Sequence, residues 1–355
     1  MNNKNQVGPG FFVVLLVTFL VLVTLIASLF VVMSNDGDIV DNSPETEDTH
    51  EQKNPPKDTS AIEVGVNNAP LFPTNPRRTS YDIGTSSEVK TLSEEIKSNN
   101  TILVELDSYT SIVEKSADEK MYPASMTKVM TLLVACERVT DLQKKLVVTQ
   151  EIADYSEKND GSGAGLKVGE SYSIEDLLYL VSYKSDTIAS ILIAEEIAGS
   201  EAAFVTLMNE KAAEIGLKGT NFVNCTGLYN ENHYSTCRDI AMIMAYTMDN
   251  ELAYKCLSSY RGRPMVVGGV DCTFYSTWYS GKSRFADNPN LKTSTVVAAK
   301  TGYTDESGVT LVSVAKGDNG KTYINVIVGC PKGSGLTETM STQEVKYIYN
   351  TYIPK

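Results

Sequence analysis

The apolar and polar positions divide this chain into three parts. Residues 10–33 are an apolar run of 24 residues without one charged side chain. As a helix this run would span about 36 Å at about 1.5 Å per residue, which is enough to cross a bilayer. Residues 34–87 have no apolar period and contain six prolines, so we expect a disordered tether that cannot bury enough apolar surface to fold. Periodic patterns follow, and they predict one folded domain over residues 88–355.

Helical and β-type periods alternate in a definite order within the predicted domain. Two β-rich runs at 101–107 and 111–115 predict a hairpin. A second pair of β-rich runs, 309–315 and 322–328, flanks a turn signal. Helical periods fill the middle and the end of the domain, at 125–137, 174–182, 187–198, 201–216, 238–248 and about 339–351. Strands at both ends of a helical middle predict an α/β (α+β) fold with helices packed on one antiparallel sheet.

The charges on either side of the apolar run predict its orientation. Lys4 precedes the run, whereas residues 34–60 carry eight acidic residues and two lysines. The positive-inside rule then leaves residues 1–9 in the cytoplasm and places the rest of the chain outside. A cleaved signal peptide is the competing interpretation, but its apolar stretch would be shorter, and no small-x-small site follows. We therefore expect residues 10–33 to be a single-pass anchor in the cell membrane.

The composition excludes several classes of function. The formal net charge of -13 argues against a nucleic-acid-binding protein, which needs a basic face. The two histidines, His50 in the tether and His233, nearly exclude a His-rich metal site, and a Ser-His-Asp enzyme would have to use one of them. The six cysteines contain no C-x-x-C pair, so disulfides are possible but are not implied. We expect no metal and no cofactor.

A serine and a lysine at the start of the first predicted helix are the clearest candidates for chemistry. Ser125 follows a turn that contains a proline, and Lys128 lies three residues later on the same helical face. Burial would lower the pKa of the lysine, which could then accept the serine proton. The free N–H groups at the helix N-terminus could stabilise an oxyanion. A serine N-cap with a chance lysine is the plainer interpretation of this spacing.

A lysine and a threonine near the C-terminal strands could bind an anion. Lys300, Thr301 and Gly302 follow an apolar run, and on an edge strand the first two could hold a carboxylate. Gly302 would leave space for a substrate backbone beside the strand. The nearby residues 292–294, Lys-Thr-Ser, are a rival that lacks the glycine.

A third group, Ser-Asp-Thr at residues 185–187, lies between two predicted helices. Ser185 could relay protons between the serine–lysine pair and a leaving amine. Alternatively, Ser185 or Asp186 merely caps the helix that begins at Thr187.

Taken together, these three motifs resemble those of the serine penicillin-recognising enzymes, in which Ser-x-x-Lys is followed by Ser-x-Asn and Lys-Thr-Gly. The sequence around them is similar to that of low-molecular-mass penicillin-binding proteins, the D-alanyl-D-alanine carboxypeptidases. Four blocks match in order, at residues 122–133, 175–200, 221–246 and 300–315. The resemblance covers about residues 90–355. It implies the fold of serine β-lactamases and penicillin-binding proteins, an antiparallel sheet flanked by helices plus an all-helical subregion.

The resemblance implies a role for each motif residue. Ser125 would be the acylated nucleophile, Lys128 the general base and Ser185 the proton relay. The substrate-binding residues would be Thr187, Lys300, Thr301, Gly302 and Tyr303. The backbone N–H groups of Ser125 and Tyr303 would form the oxyanion hole. The implied reaction removes D-alanine from peptidoglycan stem peptides that end in D-Ala-D-Ala, on the side of the membrane that faces the cell wall. β-Lactams would acylate the same serine.

Thr187 departs from the family pattern, which has asparagine at this position. A threonine hydroxyl is shorter than an asparagine amide and lacks its carbonyl, so catalysis could be weakened or substrate preference shifted. Two alternatives therefore stay open. A β-lactamase needs a carboxylate for the deacylating water, and no clear Glu-x-x-x-Asn segment lies between Ser185 and Lys300. A wall-binding or regulatory homologue would keep the fold without full activity.

Overall fold

A six-stranded sheet, built from both ends of the domain, is the framework of the fold in this computed structural model. The structure describes residues 80–87, 89–90, 92, 94–279, 291–332 and 339–355. With strands numbered in chain order, the sheet contains β1 (Gly84–Thr85), β2 (Asn100–Glu105), β3 (Thr110–Lys115), β8 (Ser294–Thr304), β9 (Gly308–Gly317) and β10 (Thr322–Cys330). Their spatial order is β1-β3-β2-β10-β9-β8.

The predicted antiparallel pairing is confirmed for all of this sheet except one edge. Strands β2 and β3 form the predicted hairpin, and β9 and β10 form the second predicted pair. β10 joins the two by pairing with β2, although the strands are more than 200 residues apart in sequence. The exception is the two-residue β1, which pairs in parallel with β3.

The sheet is covered on both faces. In the central strand β10, Ile324 and Val326 belong to one apolar core, whereas Tyr323 and Ile327 belong to another. Because successive side chains of a strand point to opposite faces, this alternation places one core on each side of the sheet. Burial on both faces explains why β10 is an almost continuous apolar run in the sequence.

Eight helices accompany the sheet in the described part of the chain. They are α1 (Thr127–Arg138), α2 (Gln150–Lys158), α3 (Ile174–Tyr183), α4 (Thr187–Ala198), α5 (Glu201–Ile215), α6 (Cys237–Met248), α7 (Glu251–Ser258) and α8 (Met340–Tyr352). The helix bounds predicted from the apolar periods agree with α1, α3, α4, α5, α6 and α8 to within two residues.

Side-chain caps fix the starts of most of these helices. Seven of them begin after a Ser, Thr, Asp or Asn side chain that accepts a hydrogen bond from a backbone N–H of the first turn, namely Thr149, Ser173, Asp186, Ser200, Thr236, Asn250 and Thr339. Such caps satisfy N–H groups that the helix itself leaves unpaired. Helix α1 has no side-chain cap and follows a 3-10 turn, Ala124–Met126. Among the described helices, the one without a side-chain cap thus begins at the predicted serine–lysine pair.

The elements that the periodic patterns missed are short. Helix α2 buries Ile152 and Ser156, and α7 is eight residues long, so neither carries an apolar stripe of useful length. Two ribbons were also missed, β4 (Lys145–Val147) with β5 (Ser171–Ser173), and β6 (Arg263–Val267) with β7 (Val270–Phe274).

The predicted boundary between tether and domain at residues 87/88 is wrong. Tyr81 and Ile83 are buried in the core, and Gly84 N donates to Tyr109 O at 2.9 Å before β1 pairs with β3. Two apolar side chains separated by one residue are too short a signal to see in a proline-containing segment. The folded part therefore includes residues that were assigned to the tether.

The predicted anchor at residues 10–33 and the tether up to residue 79 lie outside the described residues. Among the helices of the described part, none combines the length and the apolar character needed to cross a membrane.

Candidate active site

Ser125 lies in the 3-10 turn that leads into α1, and a glycine shapes this turn. Ala124 has a positive φ of 46°, which is uncommon for a residue with a side chain. Gly227 packs against it so closely that a Cβ at residue 227 would lie 1.9 Å from Ala124 O. Gly227 itself has a φ of 79°. Both the contact and the backbone conformation therefore require glycine here, and together they hold the half-buried Ser125 at the end of the helix.

Lys128 lies one turn beyond Ser125 and points back to it. Its Nζ donates to Ser125 Oγ at 3.3 Å and also to the carbonyl oxygen of Thr226. Only 1% of Lys128 is exposed, and burial lowers the pKa of its ammonium group to about 8. The nearby Cys225, Asp186 and Glu201 raise this pKa in part, but they do not offset the burial. The predicted proximity of Ser125 and Lys128 is confirmed.

The Thr226 carbonyl was not identified from the sequence as part of the site. It is positioned by a turn whose backbone is bound from two sides. Asn224 Oδ1 accepts hydrogen bonds from the backbone N–H groups of Thr226, at 3.2 Å, and Gly227, at 2.7 Å. Thr131 Oγ1, on α1, donates to Cys225 O at 2.7 Å. The Asn-x-x-Gly pattern at residues 224–227 signals a turn, but its contact with Lys128 spans 98 residues of sequence.

Ser185 and Lys300 form a second hydroxyl–amine pair. Lys300 Nζ donates to Ser185 Oγ at 2.9 Å and to the Thr301 carbonyl at 2.8 Å. Lys300 is completely buried, and this burial lowers its pKa well below the usual value; the charge of Lys128 lowers it further. Ser185 lies between α3 and α4 with a positive φ of 56°.

Strand β8 carries Lys300 and is, as predicted, an edge strand of the sheet. A Cβ at Gly302 would lie 2.8 Å from Ser125 N and 2.5 Å from Thr310 Oγ1. Glycine is therefore required for the strand to approach the nucleophile turn. Thr301 Oγ1 is 2.7 Å from Thr277 Oγ1, and Tyr303 is 40% exposed beside it.

Thr187 does not join the two hydroxyl–amine pairs. It is the first residue of α4, and its backbone N donates to Ser162 O at 2.8 Å. Its Oγ1 faces Gly161, where a Cβ would lie 2.9 Å away. Within the described residues its side chain makes no hydrogen bond to Ser125, Lys128 or Lys300. The structure thus brings Ser125, Lys128, Ser185 and Lys300 together and leaves the Thr187 side chain against a neighbouring loop.

His233 is a buried residue whose two ring nitrogens both have hydrogen-bonding partners. It is 2% exposed, its Nδ1 accepts from Val223 N at 3.2 Å, and its Nε2 is 2.7 Å from Thr127 Oγ1. Burial lowers the pKa of the imidazole to about 4, so the ring stays neutral. Thr236, three residues later, caps α6.

The described residues contain no group of three His, Cys, Asp or Glu side chains arranged to hold a metal ion. All six cysteines belong to the described part and are free thiols.

Residues 86–332 match the family model described as D-alanyl-D-alanine carboxypeptidase. The chain is 34% identical over 230 residues to the D-alanyl-D-alanine carboxypeptidase DacF of Bacillus subtilis (strain 168), covering 64% of this chain and 56% of that protein. It is 31% identical over 248 residues to the D-alanyl-D-alanine carboxypeptidase DacA of Haemophilus influenzae, covering 68% and 59%. The chain therefore spans a little over half the length of these relatives.

Among solved structures, the Streptomyces K15 DD-transpeptidase is similar with a TM-score of 0.60 at 23% identity. The similarity covers 74% of this chain and 97% of that one, and it shows the shared fold. The predicted fold class is confirmed by this comparison.

Proposed function

This chain belongs to the D-alanyl-D-alanine carboxypeptidase family, and on that premise we propose that it removes the terminal D-alanine from peptidoglycan stem peptides through an acyl-enzyme on Ser125. One observation carries the proposal. Ser125 Oγ lies 3.3 Å from the Nζ of a buried lysine whose pKa is lowered to about 8. A general base works best when its pKa lies near the working pH, and an ordinary lysine is far from that range.

In the acylation step, neutral Lys128 accepts the proton of Ser125, and Oγ attacks the carbonyl carbon of the penultimate D-alanine. The negative charge that develops on the carbonyl oxygen is stabilised by the backbone N–H groups of Ser125 and Tyr303. The close approach at Gly302 supports this arrangement, because it brings β8 to within contact of Ser125 N.

The proton that Lys128 took from Ser125 passes through Ser185 to the leaving amine, so the amide C–N bond breaks and D-alanine departs. Water then attacks the ester carbonyl, which releases the shortened peptide and returns the proton to Ser125. The 2.9 Å hydrogen bond from Lys300 to Ser185 Oγ supports this role, since it orients the hydroxyl. Lys300 and Thr301 hold the terminal carboxylate of the substrate, because an ammonium group and a hydroxyl are its natural partners. β-Lactams, which also carry a carboxylate beside a reactive carbonyl, acylate Ser125 in the same way.

We place the enzyme at the outer face of the cell membrane, anchored by residues 10–33 with residues 1–9 in the cytoplasm. The support is the uncharged apolar run of 24 residues and the charge difference between its flanks.

The test uses the full chain in detergent with a fluorescent penicillin and with a D-Ala-D-Ala pentapeptide. We expect covalent labelling, a mass increase equal to one penicillin and release of D-alanine, all lost in Ser125→Ala. No labelling of the wild type, under conditions that label a known penicillin-binding protein, would contradict the proposal. Rapid turnover of the penicillin would favour a β-lactamase. Labelling without D-alanine release would favour the weakened homologue, in which Thr187 has replaced asparagine.

A further inference from the structure

The buried carboxylate of Asp186 lies beside the site and has no part in the steps described above. Asp186 is completely buried in the turn between α3 and α4. Its Oδ1 accepts a hydrogen bond from Ala189 N at 2.8 Å and caps α4. Its Oδ2 accepts from Ala164 N at 2.6 Å. One oxygen therefore serves the helix, and the other reaches across to the glycine-rich loop at residues 161–165, which lies more than 20 residues earlier in the sequence.

Two further hydrogen bonds bind this loop to the same turn. Ser162 Oγ donates to Ser185 O at 2.8 Å, and Thr187 N donates to Ser162 O at 2.8 Å. A Cβ at Gly163 would lie 3.0 Å from Asp186 Oδ2, so the missing side chain lets the carboxylate approach the loop backbone. The loop is thus bound through Ser162 and Ala164 to the segment that carries the proposed proton relay.

The conformation of this segment needs such support. Ser185 has a φ of 56°, in the left-handed region, where a residue with a Cβ is strained. A strained residue keeps its conformation only when the surrounding contacts fix it. The Ser185 carbonyl is fixed by Ser162, and the next residue is fixed by both of its carboxylate oxygens. These contacts hold the backbone that carries Ser185 Oγ, the acceptor of the hydrogen bond from Lys300 Nζ.

Asp186 also contributes charge to the site. The charged and titratable groups that act electrostatically on Lys128, or on which Lys128 acts, are Asp186 at the start of α4, Glu201 on α5, Cys225 and His233 in the loops, and Lys300 on β8. Three of them supply no negative charge, because Lys300 is a base and burial keeps both the His233 ring and the Cys225 thiol neutral by lowering the pKa of the first and raising the pKa of the second. Glu201 accepts hydrogen bonds from the backbone N and the thiol of Cys225. Asp186 and Glu201 are thus the two acids whose negative charge acts on the buried lysine.

We propose that Asp186 is a positioning residue for the reaction: its carboxylate binds the 161–165 loop to the Ser185 turn, and from there its charge, together with that of Glu201, acts on buried Lys128. This inference rests on the proposed function. Asp186 touches no reacting atom and acts through Ser185 and Lys128. It is distinct from a simple helix cap, because serine, threonine or asparagine would cap α4 equally well but would supply neither the charge nor the second acceptor.

The experiment compares Asp186→Asn, Ser162→Ala and Asp160→Asn in the full chain. Asparagine keeps an oxygen for the α4 cap, but it removes the charge and cannot also accept from Ala164. Ser162→Ala loosens the loop without changing charge. Asp160→Asn is the matched control, since this exposed residue at the edge of the same loop makes no side-chain hydrogen bond in the described structure. The readouts are the second-order rate of penicillin acylation against pH and the hydrogen exchange of the Ala164 amide.

For Asp186→Asn we expect acylation at the optimum pH to fall about tenfold, because the relay turn loosens. The acid limb of the pH profile should move down by about one unit, since the loss of a nearby negative charge makes Lys128 easier to deprotonate. The Ala164 amide should exchange faster. Ser162→Ala should lower the rate without moving the limb, and Asp160→Asn should change neither.

Wild-type rate and an unmoved limb in Asp186→Asn would overturn the inference, and so would an equal shift of the limb in Ser162→Ala. If Asp186→Asn does not fold, Asp186→Ser, which also keeps the cap, replaces it. Absence of acylation in the wild type would refute the proposed function instead. In that case unchanged exchange at Ala164 in Asp186→Asn still refutes the loop contact.

Discussion

The first turn of α1 and the edge strand β8 each bury one lysine in the site, but in opposite electrostatic surroundings. Lys128 and Lys300 are exposed by 1% and 0%, so the burial of the two is the same. Lys128 faces groups that raise its pKa, and the value stays at about 8. Each Nζ bonds to one serine hydroxyl and one carbonyl, but the charge of Lys128 lowers the pKa of Lys300 further.

The comparison shows how one residue type can serve two tasks. A general base must lose its proton near the working pH, and a lysine with partial counter-charges does so close to pH 8. A lysine without a counter-charge is poised to bind an anion, because a substrate carboxylate supplies the charge that the protein has left out. The difference lies in the neighbours, since burial alone would lower the pKa of both side chains.

The largest expected effect comes from removing the base. Lys128→Gln should lower the acylation rate of Ser125 about 10³-fold, because an amide cannot accept the serine proton at neutral pH. The measurement is stopped-flow or time-course labelling with a fluorescent penicillin. Lys145→Gln, at an exposed position of β4, is the matched control and should keep the wild-type rate. A loss of less than tenfold in Lys128→Gln would show that another group is the base.

The next largest effect is expected from moving strand β8 away from the first turn of α1. Gly302→Ala should lower acylation about 10²-fold, because a Cβ 2.8 Å from Ser125 N forces β8 away from the nucleophile. The melting temperature, measured in parallel, should change little. In Gly84→Ala, the added Cβ meets its nearest atom at 3.9 Å, so this control should retain activity. Equal rates for the two variants would mean that the contact at Gly302 is unimportant.

The anion-binding lysine should affect binding more than chemistry. Lys300→Gln should raise KM for a D-Ala-D-Ala peptide about 30-fold, as expected from losing a charge-assisted hydrogen bond. The fall in kcat should be smaller. Lys292→Gln, at the exposed lysine of the rival Lys-Thr-Ser motif, should leave both constants unchanged. The opposite pattern, a large fall in kcat at constant KM, would indicate that the roles assigned to the two lysines are reversed.

The smallest effect is expected from a change of pH alone. Below about pH 8 the acylation rate should fall by about tenfold for each unit, because protonated Lys128 cannot accept a proton. Above that pH the rate should level off. The sign follows from the direction of the shift: burial favours the neutral amine, so the base is active from about pH 8 upward. A limb near pH 10 would indicate that Lys128 titrates as an ordinary exposed lysine.

Local sequence rules predicted much of the fold and the identity of the site. The apolar periods located six of the eight described helices, and the alternating runs located both strand pairs, because these patterns record which face of each element is buried. The spacing of Ser125 and Lys128 predicted their proximity, since residues three apart share a helical face. The start of the domain was missed, because Tyr81 and Ile83 are too short a pattern to stand out.

Only the tertiary structure decided how the motifs meet. The sequence by itself determined which residue types are present, in which order, and on which local elements. It did not determine that Lys128 bonds to the Thr226 carbonyl, that Gly227 packs against Ala124, or that Thr187 faces the glycine-rich loop. These contacts join residues that are tens to about a hundred positions apart. Local periodicity reports the neighbours within a turn or a strand, whereas such distant contacts depend on how whole elements pack.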